Sequence, residues 1–164
     1  MKISRIITTL GTACCAAVLL FASCGGDDDQ PTIKDTENPV IALHKETDSP
    51  LNCDVYHLGD KIYFDYTFTD DIELGSYVLE IHPNFDHHTH ANEKIECEPD
   101  PKKEDTNGWK KSWNGTIPKG SKEFHAKMEL EIPSNIETGD YHFMIRLTDQ
   151  AGHQQLKGIA IKIK

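Results

Sequence analysis

The sequence predicts an all-β domain built as a sandwich of about seven strands. Three observations carry that prediction. Apolar and polar residues alternate in one segment after another, turn-forming residues separate those segments, and no stretch of comparable length has a helical period.

In chain order, a first strand, A, is expected at about 39–45. In strand B, about 60–69, Ile62, Phe64, Tyr66 and Phe68 alternate with Tyr63, Asp65, Thr67 and Thr69. Strand C, about 76–83, sets Tyr77, Leu79 and Ile81 against Val78, Glu80 and His82. Strand E, about 123–132, sets Phe124, Ala126, Met128, Leu130 and Ile132 against His125, Lys127, Glu129 and Glu131. Strand F, about 140–148, alternates Tyr141, Phe143, Ile145 and Leu147 with His142, Met144, Arg146 and Thr148. Strand G, about 155–163, ends on Ile159, Ile161 and Ile163. Gly59-Asp60, Asp70-Asp71, Pro133-Ser134-Asn135, Gly139-Asp140 and Asp149 to Gly152 supply the turns.

Gly139-Asp140-Tyr141 resembles the tyrosine-corner region of immunoglobulin-like folds, and Thr148 to Gly152 resembles the strand-to-strand turn of bacterial immunoglobulin-like domains. The expectation is therefore an immunoglobulin-like β-sandwich with a long insertion between strands C and E, residues 84–122, which holds the C′ or D region and a long excursion. Excursions of that length are uncommon and tend to be functional or tied down.

Ahead of this domain, Lys2 and Arg5 precede an apolar run from Ile6 to Phe21 and then Ala22-Ser23-Cys24. A basic start, an apolar stretch shorter than the ~20 residues of a bilayer span, and small residues before a cut make a secretory signal over 1–23. Cysteine directly after Ala-Ser resembles the lipobox of bacterial lipoproteins, although Phe21 stands where leucine is usual. The resemblance makes Cys24 the lipidated first residue. The acidic run Asp27-Asp28-Asp29 resembles the export signal that sends Bacteroidetes lipoproteins to the outer face of the outer membrane; a solvated linker has the same composition. Residues 24–38 are expected to be an acidic flexible tether, and 39–164 the folded domain.

The full chain carries a formal charge of −10. Removal of Lys2 and Arg5 lowers the basic count from 17 to 15 against 27 acidic residues, a net −12. Nucleic acid is excluded as a partner, since phosphate binding needs a basic face. Cations are the natural small ligands.

With Cys14 and Cys15 removed and Cys24 lipidated, Cys53 and Cys97 remain, and in an oxidising compartment a disulfide is the economical pairing. Two free thiols are the alternative.

The chain has nine histidines, and four of them fall within Ile81 to His90, the stretch IHPNFDHHTH. If 86–90 is extended, Asp86, His88 and His90 share a face and His87 points away. Strands C and F are neighbours in the immunoglobulin arrangement, so His82 at the end of C and His142 at the start of F stand side by side on the outer face. His82, His88, His90 and His142, with Asp86 as an auxiliary, form a candidate transition-metal site, zinc first. A solvated or hydrogen-bonding histidine cluster is the competing account, because short histidine tracts are compositional and define no ligand geometry. No His-Glu-x-x-His helix and no Cys-x-x-Cys pair strengthens the metal case.

At the opposite pole Asp70, Asp71 and Asp149 can bind Ca²⁺, though such aspartates more often cap their own turns. Trp109 and Trp113, in the insertion, either form an exposed platform for a glycan or protein or plug one end of the sandwich.

The lipobox, the segment Thr67 to His90, the strand Tyr141 to His153 and the length together resemble a Bacteroidetes lipoprotein family with a domain of unknown function, family 4625. The resemblance implies an immunoglobulin-like sandwich on an outer-membrane lipoprotein and no activity; the histidine stretch is the feature carried over as functional. Two functions fit. One is a surface lipoprotein that holds a transition metal, delivering or sequestering it for a neighbouring outer-membrane transporter. The other is an adhesion or glycan-binding module with structural histidines. An enzyme is not expected, since a nucleophile-plus-base signature is missing.

Overall fold

The structure is a computed structural model, and it describes residues 34–45, 49–90 and 97–164. The expected signal peptide, Cys24 and most of the tether lie outside the described residues. The described residues form eight strands in two sheets and contain no helix.

One sheet has the order β1 (Val40–Ala42), β3 (Lys61–Thr69), β6 (Glu123–Glu131). The other runs β2 (Val55–Tyr56), β8 (Gln154–Ile163), β7 (Gly139–Asp149), β4 (Leu74–Pro83), β5 (Lys111–Thr116). These are strands A-B-E facing G-F-C, with β2 added in parallel at one edge and β5 antiparallel at the other. That is an immunoglobulin-like sandwich. The alternation places the core. Ile62, Phe64, Tyr66 and Phe68 of β3 meet Leu79 and Ile81 of β4 and Tyr141, Phe143, Ile145 and Leu147 of β7, all at 1% exposure or less. The Tyr141 hydroxyl donates to the carbonyl of Glu137, four residues upstream, which makes the tyrosine corner.

Two features of the excursion that the sequence leaves open are decided by the tertiary structure. First, its C′ or D region is a strand, β5, which lengthens the outer sheet and brings the count among the described residues to eight. Second, Trp109 is no platform. It is 6% exposed and belongs to the core, with its backbone N–H donating to the Tyr141 hydroxyl at 3.2 Å. Trp113 is half-buried and edge-on to Trp109 at 5.8 Å. The pair plugs the sandwich because indole surface is worth more buried than wet.

The remainder of the excursion is stapled to the start of β7 and the end of β8. Cys97 is joined to Cys53, Cα to Cα 5.4 Å. Asp100 accepts from Lys162 Nζ at 2.6 Å, while its N–H donates to Asp140 at 2.7 Å. Glu137 accepts from the amides of Thr106 and Asn107. Those ties hold the polypeptide over the outer face of the β4–β7 pair.

Candidate metal centre

His82 and His142 are directly paired across β4 and β7. Both side chains point away from the core, as the alternation requires. Yet His142 is fully buried, at 0% exposure. An ordinary solvent-facing strand histidine is thereby ruled out, because the segment after β4 folds back over it.

That segment is not the extended run expected from sequence. Pro83 ends β4, and Asn84 to His87 make a tight turn closed by the His87 N–H on the Asn84 carbonyl at 3.2 Å. His87 takes a left-handed φ of 57°. Phe85, 3% exposed, is the anchor, edge-on to Tyr141 at 5.4 Å with the Lys103 ammonium over its other face. The turn sends His87 away, toward the Asp100 carbonyl at 2.9 Å, and returns His88 and His90 over the strands.

The result is a cluster of four imidazoles, His82, His88, His90 and His142, with one nitrogen of each within 4.8 Å of all the others. The six distances between ring centroids run only from 4.9 to 5.4 Å, so the rings occupy the corners of a nearly regular tetrahedron. The centre of such a tetrahedron lies about 3.1 Å from each corner. A Zn–N bond of about 2.0–2.1 Å plus a ring radius of about 1.1 Å places an imidazole centroid about 3.2 Å from zinc. The two lengths agree.

The nitrogens agree as well. His82 Nε2 faces His90 Nε2 at 3.1 Å and His88 Nε2 at 3.2 Å. A ring nitrogen carries one proton or one lone pair, so it can satisfy one such contact as a hydrogen bond and not both. A central cation satisfies them together.

The outer nitrogens are held as metal-binding histidines usually are, by carboxylates and amides. His88 Nδ1 lies 2.6 Å from Asp86, and His82 Nδ1 lies 3.1 Å from Glu80. Asp86 accepts a hydrogen bond from His88 Nδ1, which turns the Nε2 lone pair of that ring inward, while Glu80 is a charge neighbour of His82 Nδ1 and not its hydrogen-bond acceptor. Asp86, expected as an auxiliary ligand, therefore stands outside the four donors, and its part is to orient His88. Glu80 is the carboxylate neighbour of His82. His142 is held through Nε2 by the Asn84 amide at 2.8 Å, so this ring would ligate through Nδ1. The Asn84 Oδ1 is buried with no hydrogen-bond partner. Turning the amide lets that oxygen accept the His142 Nε2 proton, and leaves the Nδ1 lone pair for a metal.

Burial, followed by the charges that His90, His82 and His88 would bring, pushes the His142 pKa down from 6.5 to about 3. His82 is also lowered, by burial first, with Glu80 opposing. His142 and His82 are thus biased toward the neutral form, the state in which imidazole binds metal. A pocket lined by His82, Phe85, Asp86, His88, Lys103 and Lys110 opens beside it. Sequence reasoning missed Asn84 and Glu80 as supports, although Glu80, two residues before His82 in a strand, lies on the same face.

Fold and cluster define a class, an immunoglobulin-like β-sandwich with four imidazoles gathered under a stapled excursion. The chain belongs to a family recorded as a domain of unknown function (DUF4625), which matches residues 22–164. No curated protein matches it. Among solved structures it is similar to Spo0M, a sporulation control protein from Bacillus subtilis, at 12% identity and a TM-score of 0.39. The alignment covers 77% of this chain and 49% of that one, so the chain spans about half the length of that protein. So slight a likeness carries nothing to the site.

Proposed function

We propose that this chain is a transition-metal-binding lipoprotein, with His82, His88, His90 and His142 as the ligands of one tetrahedral Zn²⁺. The observation that carries the proposal is the near-equality of the six centroid distances, at the length that a zinc–imidazole tetrahedron demands. Tetrahedral geometry favours Zn²⁺ over Cu²⁺ or Ni²⁺, which prefer tetragonal sites. Four protein donors leave no coordination position for a substrate, so the centre holds or passes on metal and does not catalyse. The lipobox-like Ala22-Ser23-Cys24 and the acidic residues behind it support attachment through Cys24 to the outer membrane, facing outward. There the domain would deliver metal to, or withhold it from, a neighbouring transporter. The adhesion reading loses its platform, since Trp109 is buried.

The test is thermal unfolding of the full chain after chelation and again with Zn²⁺, beside the His88→Ala/His90→Ala double variant. Zinc at 100 times its dissociation constant adds about 2.7 kcal/mol to native stability. X-ray absorption of the loaded protein should show four nitrogen neighbours at about 2.0–2.1 Å. A shift equal in the double variant, or no shift at all, would sink the proposal.

A further inference from the structure

A second group of ligand atoms lies at the opposite pole of the sandwich, where β3 and β7 end. Asp35, in the segment before β1, meets Asp70 and Asp71 of the β3–β4 turn on one side and Asp149 and His153 of the β7–β8 turn on the other. In each set of three, one ligand atom per residue lies within 4.8 Å of the other two.

The turns press together through backbone contacts. Gln150 N–H donates to the Glu73 carbonyl at 3.0 Å, and a Cβ on Gly75 would stand 2.6 Å from the Asp149 carbonyl oxygen. The turn aspartates do cap their own turns, but with one oxygen. Asp70 Oδ1 accepts from the amides of Ile72 and Glu73, and Asp149 Oδ1 from those of Gly152 and His153. Capping accounts for those oxygens alone.

One oxygen each of Asp70 and Asp35 calls for a cation. Asp70 is 9% exposed, and its Oδ2 is buried with no hydrogen-bond partner. The Asp35 side chain is 7% exposed, and its Oδ2 is in the same condition. Two desolvated carboxylate oxygens without donors, in a group of three aspartates with Asp71, repel one another and cost free energy unless something positive lies between them. Lys122 is near, but its ammonium donates to the Asp71 carbonyl at 2.6 Å. His153 is paired with Asp149 at 2.9 Å and lies 3.7 Å from Asp35.

We infer that Asp35, Asp70, Asp71 and Asp149 form a Ca²⁺ site that fastens the segment before β1 to the β3–β4 and β7–β8 turns. All four donors are hard carboxylate oxygens, delivered by three separate pieces of chain whose spacing tolerates the large, flexible coordination of Ca²⁺ better than the strict octahedron of Mg²⁺. Asp35 is the shared member of both sets, so bound Ca²⁺ would tie the segment before β1 to both turns at once.

Calcium titration of the full chain, followed by calorimetry and by the unfolding midpoint, tests this site separately from the zinc centre. Saturable binding of one Ca²⁺ is expected, with a dissociation constant on the order of 10⁻⁴–10⁻³ M, the range of extracellular modules. Calcium should also slow tryptic cleavage after Lys34, next to the shared ligand. Asp35→Asn retains an amide oxygen for the 3.3 Å hydrogen bond from Glu37 and leaves both turn caps alone. It should weaken Ca²⁺ binding by about tenfold or more. Asp71→Asn, on an exposed residue, should weaken it without loss of fold. The His88→Ala/His90→Ala variant should keep the calcium response in full. No calcium response up to about 10 mM, an unchanged response in Asp35→Asn, or an equal response to Mg²⁺ would each overturn the site.

Discussion

His82 and His142 lie opposite one another on β4 and β7, with their rings at 89° and 5.4 Å between centroids. The sheet alone sets this pair, because register fixes which residues face each other and alternation fixes the face. The other two imidazoles arrive from a turn. In the proposed zinc site, with one rigid pair on strands and a second pair on a stapled loop, affinity would depend on the supports as well as the ligands.

Glu80→Gln tests the supports. The carboxylate 3.1 Å from His82 Nδ1 is a negative charge that favours a proton on that nitrogen and so the lone pair on Nε2, and an amide lacks that charge. Zinc affinity measured by competition with a chromophoric chelator should fall by about 10- to 100-fold, with the unfolding midpoint of the zinc-free protein little changed. Unchanged affinity would mean that the Glu80–His82 contact has no part in metal binding.

Acid should destabilise the zinc-free protein through His142. Its folded pKa is about 3, against 6.5 for an ordinary histidine, so below pH 6.5 the unfolded chain takes up a proton that the folded chain refuses. The stabilisation is complete above pH 6.5 and is lost progressively as pH falls toward 3. His142→Asn should flatten that part of the stability profile, measured by urea unfolding at a series of pH values. A variant with the same pH slope would remove His142 as its source.

Reduction should loosen the excursion before it unfolds the sandwich. The Cys53–Cys97 bridge closes a loop across 44 positions, worth about 2–4 kcal/mol in the chain-entropy account. Cys53→Ser/Cys97→Ser should lower stability by about that amount. Because the bridge holds down the segment carrying His88 and His90, it should also weaken zinc binding. Equal zinc affinity with and without the bridge would show that the hydrogen bonds of Asp100, Thr106 and Asn107 hold the ligands unaided.

Gly115→Ala tests how β5 is seated. Gly115 lies opposite Tyr77, and a Cβ there would fall 2.0 Å from the Tyr77 ring. That ring is part of the core, 5.1 Å from Phe68 and 6.5 Å from Phe64. Overpacking should cost about 1–3 kcal/mol in chemical denaturation. A neutral substitution would show that β5 can slide outward and is not locked to β4.

The sequence by itself determined the sandwich, its core and the opposition of His82 to His142, because period-two alternation and antiparallel neighbourhood are local or nearly local properties of strands. It also marked Cys53 and Cys97, and it marked His88 and His90, though on the assumption of an extended segment that the Asn84–His87 turn replaces. Only the tertiary structure decided that His142 is buried, that Trp109 belongs to the core, and that Asp86, Glu80 and Asn84 stand against His88, His82 and His142. It alone brought Asp35, in a stretch expected to be tether, between two acidic turns. These outcomes depend on where a long excursion and a leading segment settle on the sheets. That placement is set by a few long-range contacts, such as Phe85 on Tyr141 and Asp100 on Lys162, which no periodicity encodes.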